Sequence, residues 1–253
     1  KSAQPDKAIE VLQPLVDHPK ADAISLSLAG EAWLMSGDSA RAEAAFQRAL
    51  KAAPDDARLR TAVAVAQLAR GDNAPAVAQL EAIAQRDGGT QADLALISAR
   101  LRQKDLPGAL KAIDALDRKL PDQALPLVLR GRVLVQQGDK GAARATLDKA
   151  LQRQPGHLPA LVTLAALDVQ EGKPAVARQR FEALIKAEPQ NQPARMALAE
   201  LDRRLGAHPP GAVRIRSTRP GDPVPAQLWQ VRRAGGWLPR DDWPAGRDAG
   251  RRP

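Results

Sequence analysis

Alanine recurs at 42, 76, 109, 143 and 177, at spacings of 34, 33, 34 and 34 residues, and this period constrains the fold more than any other feature. Four residues after each alanine stands a large apolar residue (Phe46, Leu80, Ile113, Leu147, Phe181), and three beyond it Ala49, Ile83, Leu116, Ala150 and Leu184. Positions i, i+4 and i+7 share one helical face, so every unit carries an amphipathic helix. Pro54, Pro121, Pro155 and Pro189 close four of the five helices, because the ring removes a donor and clashes with the preceding turn; Gly88 closes the other. Ahead of each helix lies Gly37-Asp38, Gly71-Asp72, Lys104-Asp105, Gly138-Asp139 or Gly172-Lys173, a turn followed in four cases by an N-cap carboxylate.

A second helix is legible before each turn, as in ISLSLAGEAWLM from 24 and LPLVLRGRVLVQ from 125, with Gly30 and Gly131 where two helices approach closely. Neither helix of such a hairpin can bury its apolar face alone, so neighbouring hairpins must stack. With only two Phe and no Tyr in 253 residues, the core is built from Ala, Leu and Val, of which Ala and Leu are strong helix formers. The expected fold class is all-α.

These residues resemble the tetratricopeptide repeat family, whose pattern of 34 residues has a small eighth residue, Ala at the twentieth, a large residue at the twenty-fourth and Pro at the thirty-second. The resemblance covers about residues 8–206. It implies a right-handed α-solenoid of stacked antiparallel hairpins: a partial repeat over 1–20, repeats over about 23–56, 57–89, 90–123, 124–157 and 158–191, and a half repeat over 192–206. The eighth position is Gly30, Ala64, Ile97, Gly131 and Ala165, while the usual aromatic at the eleventh survives only as Trp33, the others being Gln67, Arg100, Leu134 and Asp168. The wording of 171–201 and 93–116 is similar to the repeat lipoprotein associated with the bacterial PEP-CTERM protein-sorting and exopolysaccharide system. That resemblance implies a lipid-anchored envelope protein on the periplasmic side, with further repeats, a signal peptide and a lipid-bearing cysteine upstream of Lys1. The alternative is a cytosolic peptide-binding adaptor or co-chaperone.

The family binds protein or peptide segments along a concave groove lined by its first helices. Carried onto this chain, the groove positions are Ser27, Glu31, Thr61, Val65, Leu94, Ser98, Leu125, Val128, Arg132, Val162 and Ala166. The lining is mostly apolar and lacks the Lys, Asn and Arg set with which chaperone-binding members clamp a C-terminal carboxylate. It suits an extended or helical segment whose apolar side chains it desolvates.

No catalytic residue, cofactor, metal ligand set or small-molecule substrate is expected. His18, His157 and His208 have no ligand-spaced companion, no Gly-rich phosphate loop occurs, and there is no cysteine. Acidic residues alternate with Lys and Arg and read as solvated helix faces. The net charge of +9 is uneven, with nine Arg and four Asp after residue 206. Residues 207–253 lose the period and are rich in Arg, Pro and Trp. Trp229, Trp237 and Trp243 beside Arg214, Arg216, Arg232 and Arg233 could stack on bases and meet phosphates, the sole basis for a nucleic-acid partner. The competing readings are a disordered linker and a shifted reading frame of a GC-rich gene, which would leave the helix at 192–205 without its hairpin mate.

Overall fold

A computed structural model describes residues 5–18, 21–86 and 89–206. The tail and its Trp and Arg residues, Gly88 and His208 lie outside the described residues. Backbone contacts divide the chain into residues 1–197 and 198–253. The described part of the second unit is the end of one helix, where Glu200 pairs with Arg203 and Arg204.

The described residues form twelve helices and no strand: α1 (Pro5–Asp17), α2 (Ala23–Ser36), α3 (Ser39–Ala52), α4 (Ala57–Arg70), α5 (Asn73–Arg86), α6 (Gln91–Arg102), α7 (Leu106–Lys119), α8 (Leu125–Gln136), α9 (Lys140–Arg153), α10 (Leu158–Gln170), α11 (Pro174–Ala187) and α12 (Gln192–Arg204). The expected all-α array of hairpins is what forms, with α2, α4, α6, α8 and α10 as first helices and α3, α5, α7, α9 and α11 as second helices. The helices α3, α7, α9 and α11 each stop two residues before Pro54, Pro121, Pro155 and Pro189 respectively. Asp38, Asp105 and Asp139 cap their helices by accepting from the backbone N–H of Arg41, Gly108 and Ala142.

The hairpin turn is left-handed. Gly37, Gly71, Gly138 and Gly172 have φ between 74° and 99°, and Lys104, at the same place in the third hairpin, has φ 59°. An L side chain pays a steric penalty there that glycine avoids. Lys104→Gly is therefore expected to stabilise the chain by about 0.5–1 kcal/mol, after the glycine's extra unfolded-state entropy is deducted. A urea midpoint unchanged or lowered would show that the turn carries no strain.

Three apolar clusters form the core of residues 5–197, and shared helices join them. Leu59, Val63 and Ala66 of α4 belong to the first cluster and Ala64 and Leu68 to the second. On α8, Val133 belongs to the second and Leu127 and Val128 to the third. Basic side chains of second helices also reach back one repeat to open carbonyls. Arg48 donates to Val16 O and His18 O, Lys119 to Ala84 O and Gly89 O, and Arg153 to Gln123 O. These bonds satisfy chain ends that a helix leaves unpaired and fix the stacking register.

Candidate functional site

Backbones of first helices approach one another at α2 with α4, α4 with α6 and α8 with α10, while α6 and α8 do not come together in the same way. No successive second helices approach as closely among the described residues. The first helices therefore line the inner side of residues 5–197, and the second helices fan apart on the outer side.

The groove positions named from the sequence lie on these first helices, but not all reach the surface. Glu31, Ser98, Arg132, Val162 and Ala166 are exposed; Ser27, Val65, Leu94 and Leu125 are half-buried. Thr61 and Val128 are corrections to the set. Val128 is 1 % exposed inside the third apolar cluster, and Thr61 is buried with its hydroxyl donating to Ala57 O at 2.7 Å. Both are packing residues, with no surface to offer a partner. Ser98 donates to Leu94 O of its own helix, which leaves its oxygen free to accept.

The outer side holds what the sequence reading missed. A cavity of about 630 Å³ lies between α3, α4 and α5, and another of about 520 Å³ between α5, α6 and α7. On α4 the first is lined by Arg60, Val63 and Gln67, and on α6 the second by Asp93, Leu96 and Arg100. At 100° per residue these faces lie about 150° around their helices from the groove positions. Each cavity reaches the eleventh residue of its repeat, where Gln67 and Arg100 replace the aromatic that Trp33, 6 % exposed, supplies in the first repeat. The missing ring and the small neighbours Ala57 and Ala82, or Ala84, Ala112 and Ala115, leave the space unfilled.

Carboxylates read as solvated are, in several cases, buried or half-buried and paired with the other helix of the hairpin or with a neighbouring repeat. Glu43 accepts from Gln67 and Arg70, and Glu81 from Arg100. Asp93, 1 % exposed, meets Lys119 at 2.7 Å; Asp168, equally buried, meets Arg144 at 2.8 Å and Arg180 at 2.6 Å. Hydrogen bonding to Glu81 raises the Arg100 pKa above its ordinary value against the opposing effect of burial. Burial, with the charge of Arg132 nearby, pushes His157 below the usual histidine range. No group of three or more His, Cys, Asp or Glu among the described residues is placed to hold a metal, and no described helix is long and apolar enough to cross a membrane.

Two family models, both described as tetratricopeptide repeat, match residues 134–201 and residues 1–57 with 94–157, together more than half of the chain. The chain belongs to the tetratricopeptide repeat family. Its fold is similar to that of a thermophilic tetratricopeptide repeat protein from Thermus thermophilus, with TM-score 0.51 and 24% identity over 71% of this chain and 98% of that one. It is also similar to yeast Tom70, with TM-score 0.62 and 13% identity over 81% of this chain and 44% of that one. A tetratricopeptide repeat protein from Parabacteroides merdae matches with TM-score 0.51 and 19% identity over 73% of each chain. No curated protein matches. Tetratricopeptide repeats imply a protein-interaction scaffold, and the stacked first helices supply a surface of that kind.

Proposed function

We propose that this chain is a non-catalytic scaffold that holds segments of partner proteins against its first helices. The observation that carries this reading is the set of exposed or half-buried side chains on the first helices, Glu31, Val65, Leu94 and Ser98 along the contacting α2, α4 and α6, and Leu125, Arg132, Val162 and Ala166 along the contacting α8 and α10. Val65, Leu94, Leu125 and Val162 would desolvate apolar side chains of the segment, while Glu31 and Arg132 would fix its register. Val162 is 43% exposed, so a charge placed there meets water in the free chain and an apolar partner in the complex. Val162→Asp combined with Ala166→Asp is expected to abolish capture of partner segments while circular dichroism and the urea midpoint stay unchanged. Undiminished capture would remove this face from consideration.

The setting we propose is a bacterial envelope system for exopolysaccharide export or PEP-CTERM protein sorting, with attachment through a lipid anchor upstream of this sequence. It is supported by the wording of residues 93–116 and 171–201. Fractionation of cells expressing the complete gene product, followed by cross-linking through the first-helix face, tests it. Recovery in the membrane fraction with export or sorting components is expected; recovery in the cytosol with chaperones would favour the adaptor reading.

A further inference from the structure

We infer that the outer cavity between α3, α4 and α5 is a second docking site, which takes an acidic side chain from an extended segment of a partner protein. It uses none of the first-helix residues discussed above and lies on the other side of the array.

The two outer cavities occupy the same repeat positions, and their comparison shows what the first one lacks. Counted from residues 57 and 90, Arg60 and Asp93 both stand at the fourth position, Gln67 and Arg100 at the eleventh, and Arg86 and Lys119 at the thirtieth. From the preceding second helix, Gln47 and Glu81 stand at corresponding places. In the cavity between α5, α6 and α7 these positions neutralise one another: Asp93 with Lys119, and Glu81 with Arg100. In the cavity between α3, α4 and α5 both carboxylates are gone. Gln47 stands in place of Glu81, and Arg60 in place of Asp93, so that two arginines share one recess.

Neither arginine is paired with an acid. Among the described residues no ion pair involves Arg60 or Arg86, and what Arg60 takes from Asp55, the acidic residue of the lining, is its backbone carbonyl at 3.0 Å. Arg60 Nε is buried with no acceptor, and Gln67 Oε1 is buried with no donor, because the amide nitrogen of Gln67 is held by Glu43. An extended acidic segment supplies both missing partners. Its carboxylate accepts from the guanidinium groups, and its backbone N–H donates to Gln67 once the side-chain ends turn into the space available. Leu50, Val63 and Ile83 provide an apolar floor for the stem of a glutamate.

The test is fluorescence anisotropy with the purified full chain and a fluorescein-labelled peptide of alternating glutamate and alanine, capped at both ends. Saturable binding that weakens with added salt is expected, with the glutamine counterpart of the peptide not binding. Arg60→Ala and Arg86→Ala should each weaken binding about tenfold. The control variants Arg41→Ala and Arg58→Ala, which remove exposed charge elsewhere, should leave it unchanged. Arg86 is itself exposed, so its loss leaves the core intact. Arg60→Asp is the sharper variant: it recreates opposite charges at the fourth and thirtieth positions, and should abolish peptide binding without lowering the urea midpoint. Absence of binding, or equal loss in the control variants, would overturn the site. Binding that ignores Arg60 and Arg86 but is lost with Val162→Asp would also overturn it, while leaving the first-helix groove standing.

Discussion

Phe46→Ala is expected to destabilise the first repeats by about 4 kcal/mol, the middle of the range for deleting a buried aromatic. Phe46 is 1% exposed, and its ring lies directly beneath Gly30, where a Cβ would stand only 2.6 Å from Cε1. Glycine at that point lets α2 and α3 close on each other, but it also leaves no side chain to collapse into the space the ring vacates. The cavity therefore persists, and its volume adds to the lost transfer free energy. Adding Gly30→Leu to Phe46→Ala should recover part of the loss, since the new side chain enters the vacated space from the opposite helix. In the wild-type background the same Gly30→Leu should destabilise strongly through overlap with the ring. Because stability in a stacked array is carried by each repeat and its neighbours, the loss should appear in hydrogen exchange of α2 and α3 before that of α10. A uniform loss along the array would show that the repeats unfold as one unit. Additive effects of the two substitutions would show that Gly30 and Phe46 are not coupled.

The same pair of residues shows what was legible in the sequence. A small residue at the eighth position facing a large one at the twenty-fourth is a local pattern repeated down the chain, and Gly131 against Leu147, with a Cβ distance of 2.7 Å, repeats the close approach. The turns were legible for the same reason, since Gly37, Asp38 and their counterparts act within a few residues of themselves. The ion pairs were not. Glu43, Glu81, Asp93 and Asp168 find partners 12 to 27 residues away, on the other helix of the hairpin or on the next repeat, where i, i+3 and i+4 counting cannot reach. The groove set failed in part for a related reason. The fifth position of successive repeats is half-buried at Ser27, buried at Thr61, half-buried at Leu94, buried at Val128 and exposed at Val162. Repeat position places a residue on a face, but the neighbouring helices decide how deeply that face is covered. The outer cavities had a signal in the sequence, the loss of the aromatic at Gln67 and Arg100. That loss bears on the space between second helices rather than on the fold.

Asp168→Ala is expected to cost about 3 kcal/mol, because it removes a buried carboxylate shared by two guanidinium groups. Asp168 is 1% exposed, whereas the side chains of Arg144 and Arg180 keep 27% and 23% exposure. The two arginines can regain some water when the acid is lost, so the expected cost lies at the low end of the range for breaking a buried pair. Arg144 also retains Glu171 at 3.1 Å, but Arg180 has no other carboxylate among the described residues. Arg144→Ala should cost less, about 1–2 kcal/mol, since it leaves Asp168 bonded to Arg180 and removes a partly hydrated cation. The order of the two effects is the discriminating measurement. If Arg144→Ala proves as damaging as Asp168→Ala, the guanidinium is acting through packing of its stem rather than through its charge. Replacing Asp168, Arg144 and Arg180 together with leucine should come out near neutral or stabilising, as an apolar contact between α9, α10 and α11 avoids desolvating three charges. A triple variant that is stable but has lost its fixed side-chain packing, seen as broadened methyl resonances in α10, would show that the ion triad sets the register of the fifth repeat rather than its strength.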